Sequence, residues 1–223
     1  MLKKLFYSIL LLLLPTIFFG QQKKHIELAT LYIKGELKTV NRNVKVISPA
    51  VSKDSIEYIQ VSENKKEGIV WLPLKEFKNG SIEIEMRGKD VLQKSFIGIV
   101  FHGLNDSTYD AVYCRPFNFF AKDSIRRIHS IQYVSHPIYT WKKLRDEQNA
   151  VFEKEIISPP DPNGWFTMKL VIDKTTVKTY INNAEMPSLT VKKLTNRETG
   201  KIGLFTGDGS GGDFKSLMIH YRN

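Results

Sequence analysis

Residues 81–87, SIEIEMR, set Ile82, Ile84 and Met86 against Glu83, Glu85 and Arg87 in strict alternation. A repeat of two is the side-chain period of an extended strand with one wet face, and a helix cannot accommodate it. The same repeat returns at residues 165–173, where Phe166, Met168, Leu170 and Ile172 share a side, and again at residues 177–182. Residues 96–102, FIGIVFH, are more uniformly apolar and predict a central strand, with Gly98 admitting a close neighbour. Residues 201–206 and 214–221 complete the strong strands; weaker ones fall at 44–47, 56–61 and 68–72. Gly, Asn, Asp and Pro punctuate them, and only residues 139–152 could form a turn or two of helix before Pro159 and Pro160. The expected architecture is all-β, two antiparallel sheets face to face, and the lack of an internal repeat disfavours a propeller.

The first 20 residues are set apart from this pattern. Lys3 and Lys4 precede the apolar run 5–14, Pro15 interrupts it, and a polar QQKK follows Gly20. That is the layout of a secretory signal peptide, with cleavage expected near Gly20 or Gln21. An uncleaved anchor is disfavoured because the run falls short of the roughly 20 residues that span a bilayer. The domains are therefore read as a leader at 1–20, an N-terminal edge segment at 21–43 and a sandwich at 44–223. Residues 23–43 yield no firmer reading than an edge strand plus a loop. Cys114 is the only cysteine, so no intrachain disulfide can form; a secreted chain without one points to a bacterial periplasm or exterior. Cys114 itself, in an apolar run, reads as a buried inert thiol. The net charge of +10 falls to +8 without Lys3 and Lys4, and the lysines are scattered among acids. With no basic block, no nucleic-acid partner is expected, nor any membrane span after the leader is removed.

Two passages carry a resemblance. Trp165, Val171, Tyr180 and Asn182, followed by Gly200, Ile202, Gly203, Leu204, Asp213 and Phe214, resemble the closing strands of concanavalin A-like (laminin G-like) jelly-roll sandwiches. The runs FHGLNDSTYDAVYCRPFNF and QYVSHPIYTWKKLR are similar to exported bacterial proteins grouped with the 3-keto-disaccharide hydrolase domain and glycoside hydrolase 16-like proteins. The resemblance implies a carbohydrate partner and either glycan binding or glycoside hydrolysis in a concave groove. A non-enzymatic laminin G-like adhesion module is the alternative. The chain departs from the hydrolases: residues 83–87 lack the E-x-D-x-E strand, and Ser130 stands where the E-x-Q pair of the keto-disaccharide hydrolases would put its acid, with Gln132 matching the second position.

The richest stretch for a ligand is residues 109–141, where Tyr113, Arg115, Asn118, Gln132 and Trp141 bring rings, a guanidinium and amides suited to a hydroxyl-rich molecule. Strand parity predicts His102, Tyr113 and Arg115 on one groove face, and the match to the E-x-Q strand implies that Ser130, Gln132 and His136 join them, a placement the local alternation does not settle. Arg115 needs a partner or a wet cleft, and an ion pair with Asp110 or Asp123 stands level with a ligand contact as its expected role. If the groove is catalytic, Glu83 and Glu85, about 6.6 Å apart on one strand face, with His102 and His136, are the acid and base candidates. No metal site is expected from the histidines, whose spacing lacks a ligand motif. No cofactor is required; calcium at Asp208 and Asp213 is the alternative to a tight turn. Trp165, at a strand start after a Pro/Gly turn, reads as core.

Overall fold

The computed structural model describes residues 22–49 and 56–222, so the leader expectation lies outside the described residues. In chain order the first strands are β1 (Gln22–Glu27), β2 (Lys38–Val40), β3 (Val44–Ile47), β4 (Tyr58–Val61) and β5 (Gly68–Trp71). Then follow β6 (Asn79–Arg87), β7 (Ile97–Asn105), β8 (Thr108–Cys114), β9 (Ile131–His136) and β10 (Glu153–Lys154). The last five are β11 (Trp165–Ile172), β12 (Thr176–Ile181), β13 (Leu189–Lys192), β14 (Lys201–Thr206) and β15 (Gly212–Arg222). Three short helices, α1 (Leu28–Ile33), α2 (Ser124–Ile128) and α3 (Trp141–Glu147), cover edges. The third is the helix expected after Tyr139, capped by the Thr140 hydroxyl accepting from the Lys143 amide.

Two antiparallel sheets result. The larger runs β13-β12-β11-β6-β15-β4-β3, with β1 also along β15; the smaller runs β10-β9-β8-β7-β14-β5-β2. The segment 21–43, read only as an edge, thus contributes β1 to one sheet and β2 to the other. The core between the layers takes Ile82, Ile84 and Met86, then Phe166, Met168 and Leu170, against Ile97, Ile99, Val112 and Ile131. Cys114 is buried there with its sulfur 3.9 Å from that of Met168, and burial pushes its thiol pKa up, as an inert thiol requires.

The sheets differ in one respect that controls everything below. β6 and β11 alternate buried and half-buried residues, so their outer face is wet, whereas β7, β8 and β9 are buried almost throughout. The seven-stranded sheet is therefore covered on both faces, one by the larger sheet and the other in part by α3 against β9 and by Phe96 packed on Tyr113 and Phe117. This is why its strands lack the alternation of SIEIEMR. At Gly98 the covered face leaves no room: a Cβ would stand 2.1 Å from the Val112 carbonyl oxygen. Gly98→Ala should destabilise the fold by about 1–3 kcal/mol through strand displacement. Urea unfolding midpoints of the two proteins measure it; equal midpoints would contradict the packing.

Candidate functional site

β8 and β9 bring the predicted residues together two by two. In register, Tyr113 lies opposite Gln132 and Tyr109 opposite His136, all on the face turned away from the core. The Tyr113 hydroxyl donates to Gln132 Oε1 at 3.0 Å, and Arg115 donates to the same oxygen and, at 3.0 Å, to the Tyr113 hydroxyl. Arg115 also donates to the His129 carbonyl at 2.8 Å. Its acidic partner is Glu153 on β10, at 3.5 Å. The expected partners are elsewhere: Asp110 points into the core, and the Asp123 carboxylate caps α2. Glu153 is 2 % exposed and receives both Arg145 Nε at 3.0 Å and Arg145 Nη2 at 2.7 Å, with His129 Nδ1 at 2.8 Å. Burial pushes the Glu153 carboxyl up, but the two guanidinium groups and His129 outweigh it and hold the group below its usual range. Burial drives Tyr113 up to about 12 and depresses His129.

The second pair is extended by a residue the sequence did not advertise. Tyr109 stacks on His136 with ring centres 4.9 Å apart, and its hydroxyl donates to Glu67 Oε2 at 2.8 Å. Glu67 Oε1 lies 3.7 Å from His136 Nε2. Glu67 precedes β5, three strands from β8, a span of about 14 Å in a flat sheet. Its side chain is 35 % exposed, so Glu67 sits at the mouth of the hollow. Arg197, also unforeseen, donates to the carbonyls of Tyr109 at 3.1 Å and His136 at 3.2 Å, fixing the strands that carry the stacked rings.

Three expectations are corrected. His102 is fully buried on the core side: the β7–β8 register shifts between Phe101 and Asn105, His102 adopts φ +48°, and the parity count fails there. Its ring packs on Phe77 and Phe101, Nε2 lies 2.9 Å from the Lys78 carbonyl oxygen and Nδ1 3.7 Å from Asp110. Glu83 and Glu85 occupy the outer face of the other sheet, with Glu85 2.7 Å from Lys215, and the sandwich stands between them and His136. The proposed acid–base set is not assembled. Trp165 is half-buried on that same outer face, as the inward parity of Phe166 requires. Of the ligand-binding candidates, Asn118 is buried in a 3-10 turn (Pro116–Asn118), its amide directed to the His129 carbonyl at 3.3 Å and its oxygen accepting from Arg126. Trp141 is 44 % exposed at the start of α3, with the Arg145 guanidinium 5.2 Å from its ring centre. Among the described residues no group of three His, Cys, Asp or Glu side chains could hold a metal, and Asp213 is committed to Arg87 and Gln60.

A carboxylate whose pKa is lowered on folding stabilises the fold above its unfolded value, 4.5 for glutamate, and loses that contribution as pH falls through the lower folded value. Glu153→Gln leaves Arg115 and Arg145 without a counter-charge and should cost about 3–5 kcal/mol at neutral pH. Its stability should also fall less steeply than wild type below pH 4.5. Chemical denaturation across pH checks both; a parallel acid slope would show that Glu153 is not the group titrating.

No family model and no curated protein matches the sequence. Solved structures do match in shape. Carbohydrate binding module CBM66 from Bacillus subtilis aligns at a TM-score of 0.51 and 12 % identity, covering 83 % of this chain and 92 % of that one. A Bacillus subtilis protein of unknown function with a galectin-like fold gives 0.56 and 14 %, over 90 % and 96 %. Bacillus licheniformis beta-glucanase gives 0.51 and 13 %, over 92 % and 100 %. The fold is a concanavalin A-like, galectin-like sandwich of two antiparallel sheets.

Proposed function

We propose that this chain is an exported carbohydrate-binding sandwich that holds a glycan at the rim of the seven-stranded sheet, on Trp141, Arg145, His136 and Glu67. The observation that carries the reading is the exposed Trp141 ring beside Arg145, whose guanidinium is fixed through Glu153 to the buried Arg115–Gln132–Tyr113 network. A ring face for the apolar side of a sugar and a pre-set cation for its hydroxyls form a surface that loses little freedom on binding. By their names, the carbohydrate binding module and the glucanase put this fold to work on carbohydrate, which supports the reading as analogy. Export rests on the layout of residues 1–20.

Binding is favoured over hydrolysis by the state of the acids. Glycosidases commonly use two carboxyl groups flanking one bond. Here Glu153 is buried between two arginines and cannot deliver a proton, which leaves Glu67 as the acid at the mouth. The pairing of Glu67 with His136 is the one observation on the hydrolytic side.

A glycan array probed with wild type and Trp141→Ala tests the reading. Loss of an anchoring ring should weaken the best-bound glycan about tenfold or more. Equal signal from both proteins would remove the site. Incubating that glycan with wild type and Glu67→Gln, and following reducing ends, should show no turnover by either; turnover by wild type alone would establish the hydrolase.

A further inference from the structure

The outer face of the eight-stranded sheet carries a second constellation. One register row crosses four strands: Gln60 on β4 lies opposite Asp213, Asp213 opposite Arg87, and Arg87 opposite Trp165. The side chains link in the same order. Gln60 donates to Asp213 Oδ1 at 3.1 Å, and Arg87 Nε and Nη2 donate to Oδ2 at 3.0 and 2.6 Å. Arg87 then lies 4.8 Å from the Trp165 ring centre and 5.4 Å from that of Tyr58, which meets Trp165 edge-on. At Gly211 and Gly212 the row opens into a cavity of 370 Å³ that also takes in Glu63 and Lys89. A second cavity, of 490 Å³, shares Ser62 and Glu63 with the first and continues past Asn41, Asn43 and Asn64.

We propose that these adjoining cavities form one groove and a second ligand site, which takes a neutral oligosaccharide. Each cavity falls in the roughly 300–1,000 Å³ range of small-molecule sites. Arg87 pairs with Asp213 and Lys89 with Glu63, while Arg42, buried at the second cavity, spends its donors on the Thr206 hydroxyl and on the Asn41, Lys66 and Gly207 carbonyls, so no side-chain charge is left free for a phosphate or a cation. What remains is a run of amides, a hydroxyl and bare glycine backbone, alternating donors and acceptors as a chain of hydroxyl groups would require. Gly211 has to be glycine, since a Cβ would stand 2.5 Å from the Val61 carbonyl oxygen. Beyond the cavity the row continues to Trp165 and Tyr58, with Arg87 and Lys215 both against the Trp165 ring. The ligand class follows the function proposed above, but the site does not: its row of side chains lies on the outer face of the other sheet, and the groove approaches the rim site only at Asn41, whose amide donates to the Glu67 carbonyl. One chain could then engage two glycan strands, and joined sites raise apparent affinity without new contacts.

Titrating the isotope-labelled protein with short neutral gluco-, manno- and xylo-oligosaccharides, and with an oligouronate as charged control, tests the groove by amide shifts. A neutral oligosaccharide is expected to move Ser62, Gly211, Gly212 and the Trp165 indole together. Gln60→Ala should weaken that response about tenfold and leave shifts around Trp141 unchanged. Shifts confined to Trp141 and His136 would overturn the groove and keep the rim site; shifts confined to the groove would do the reverse. No shift at either, or a groove response indifferent to Gln60→Ala, overturns the second site, and tighter binding of the oligouronate there overturns its neutral assignment.

Discussion

Burying the Glu153 carboxylate is tolerable only because Arg115, Arg145 and His129 surround it, and that requirement organises the covered face of the smaller sheet. β10 is two residues long, yet it brings Glu153 opposite Gln132, while α3 supplies Arg145 and the loop before β9 supplies His129. Three separate pieces of chain are thereby tied to one acid. Apart from the buried Gln132 Nε2, which has no partner, the network bonds within itself, and in the reading proposed above it serves as the scaffold that holds Trp141 through Arg145.

What the sequence disclosed followed the distribution of water. β6, β11 and β12 have one wet face, so their alternation is written in the chain and their inward residues were assigned correctly. β7 to β9 are dry on both sides, so parity there had to be inferred from apolar residues that do not alternate. Tyr113 and Arg115 do lie on the face away from the core, as parity has it, and Gln132 and His136, which parity did not place, lie there with them. Parity failed at His102, one residue past the last regular pair, because a register shift is a property of two strands together and neither shows it alone. Trp165 was legible and misread: the alternation that puts Phe166 inside puts Trp165 outside.

Glu67, Arg197 and Arg42 were not legible at all. Each lies outside regular strands and acts across the sheet by contacts distant in sequence. Arg42 is the clearest case, bonding Thr206, Gly207 and Lys66 from within the segment that gave no reading. Likewise the groove on the outer face depends on Gln60, Asp213, Arg87 and Trp165 standing in one row, an alignment set by strand order, not by spacing along the chain.

Strand β15 is the seam of the larger sheet. It bonds β6 along one side and both β4 and β1 along the other, and it is the last of the described strands in chain order. Until it emerges, the strand at the beginning of the described chain and those near its middle have no common partner. A growing polypeptide of this design holds its larger layer open until β15 has emerged. Clipping those final residues would split the layer down its middle instead of trimming a border.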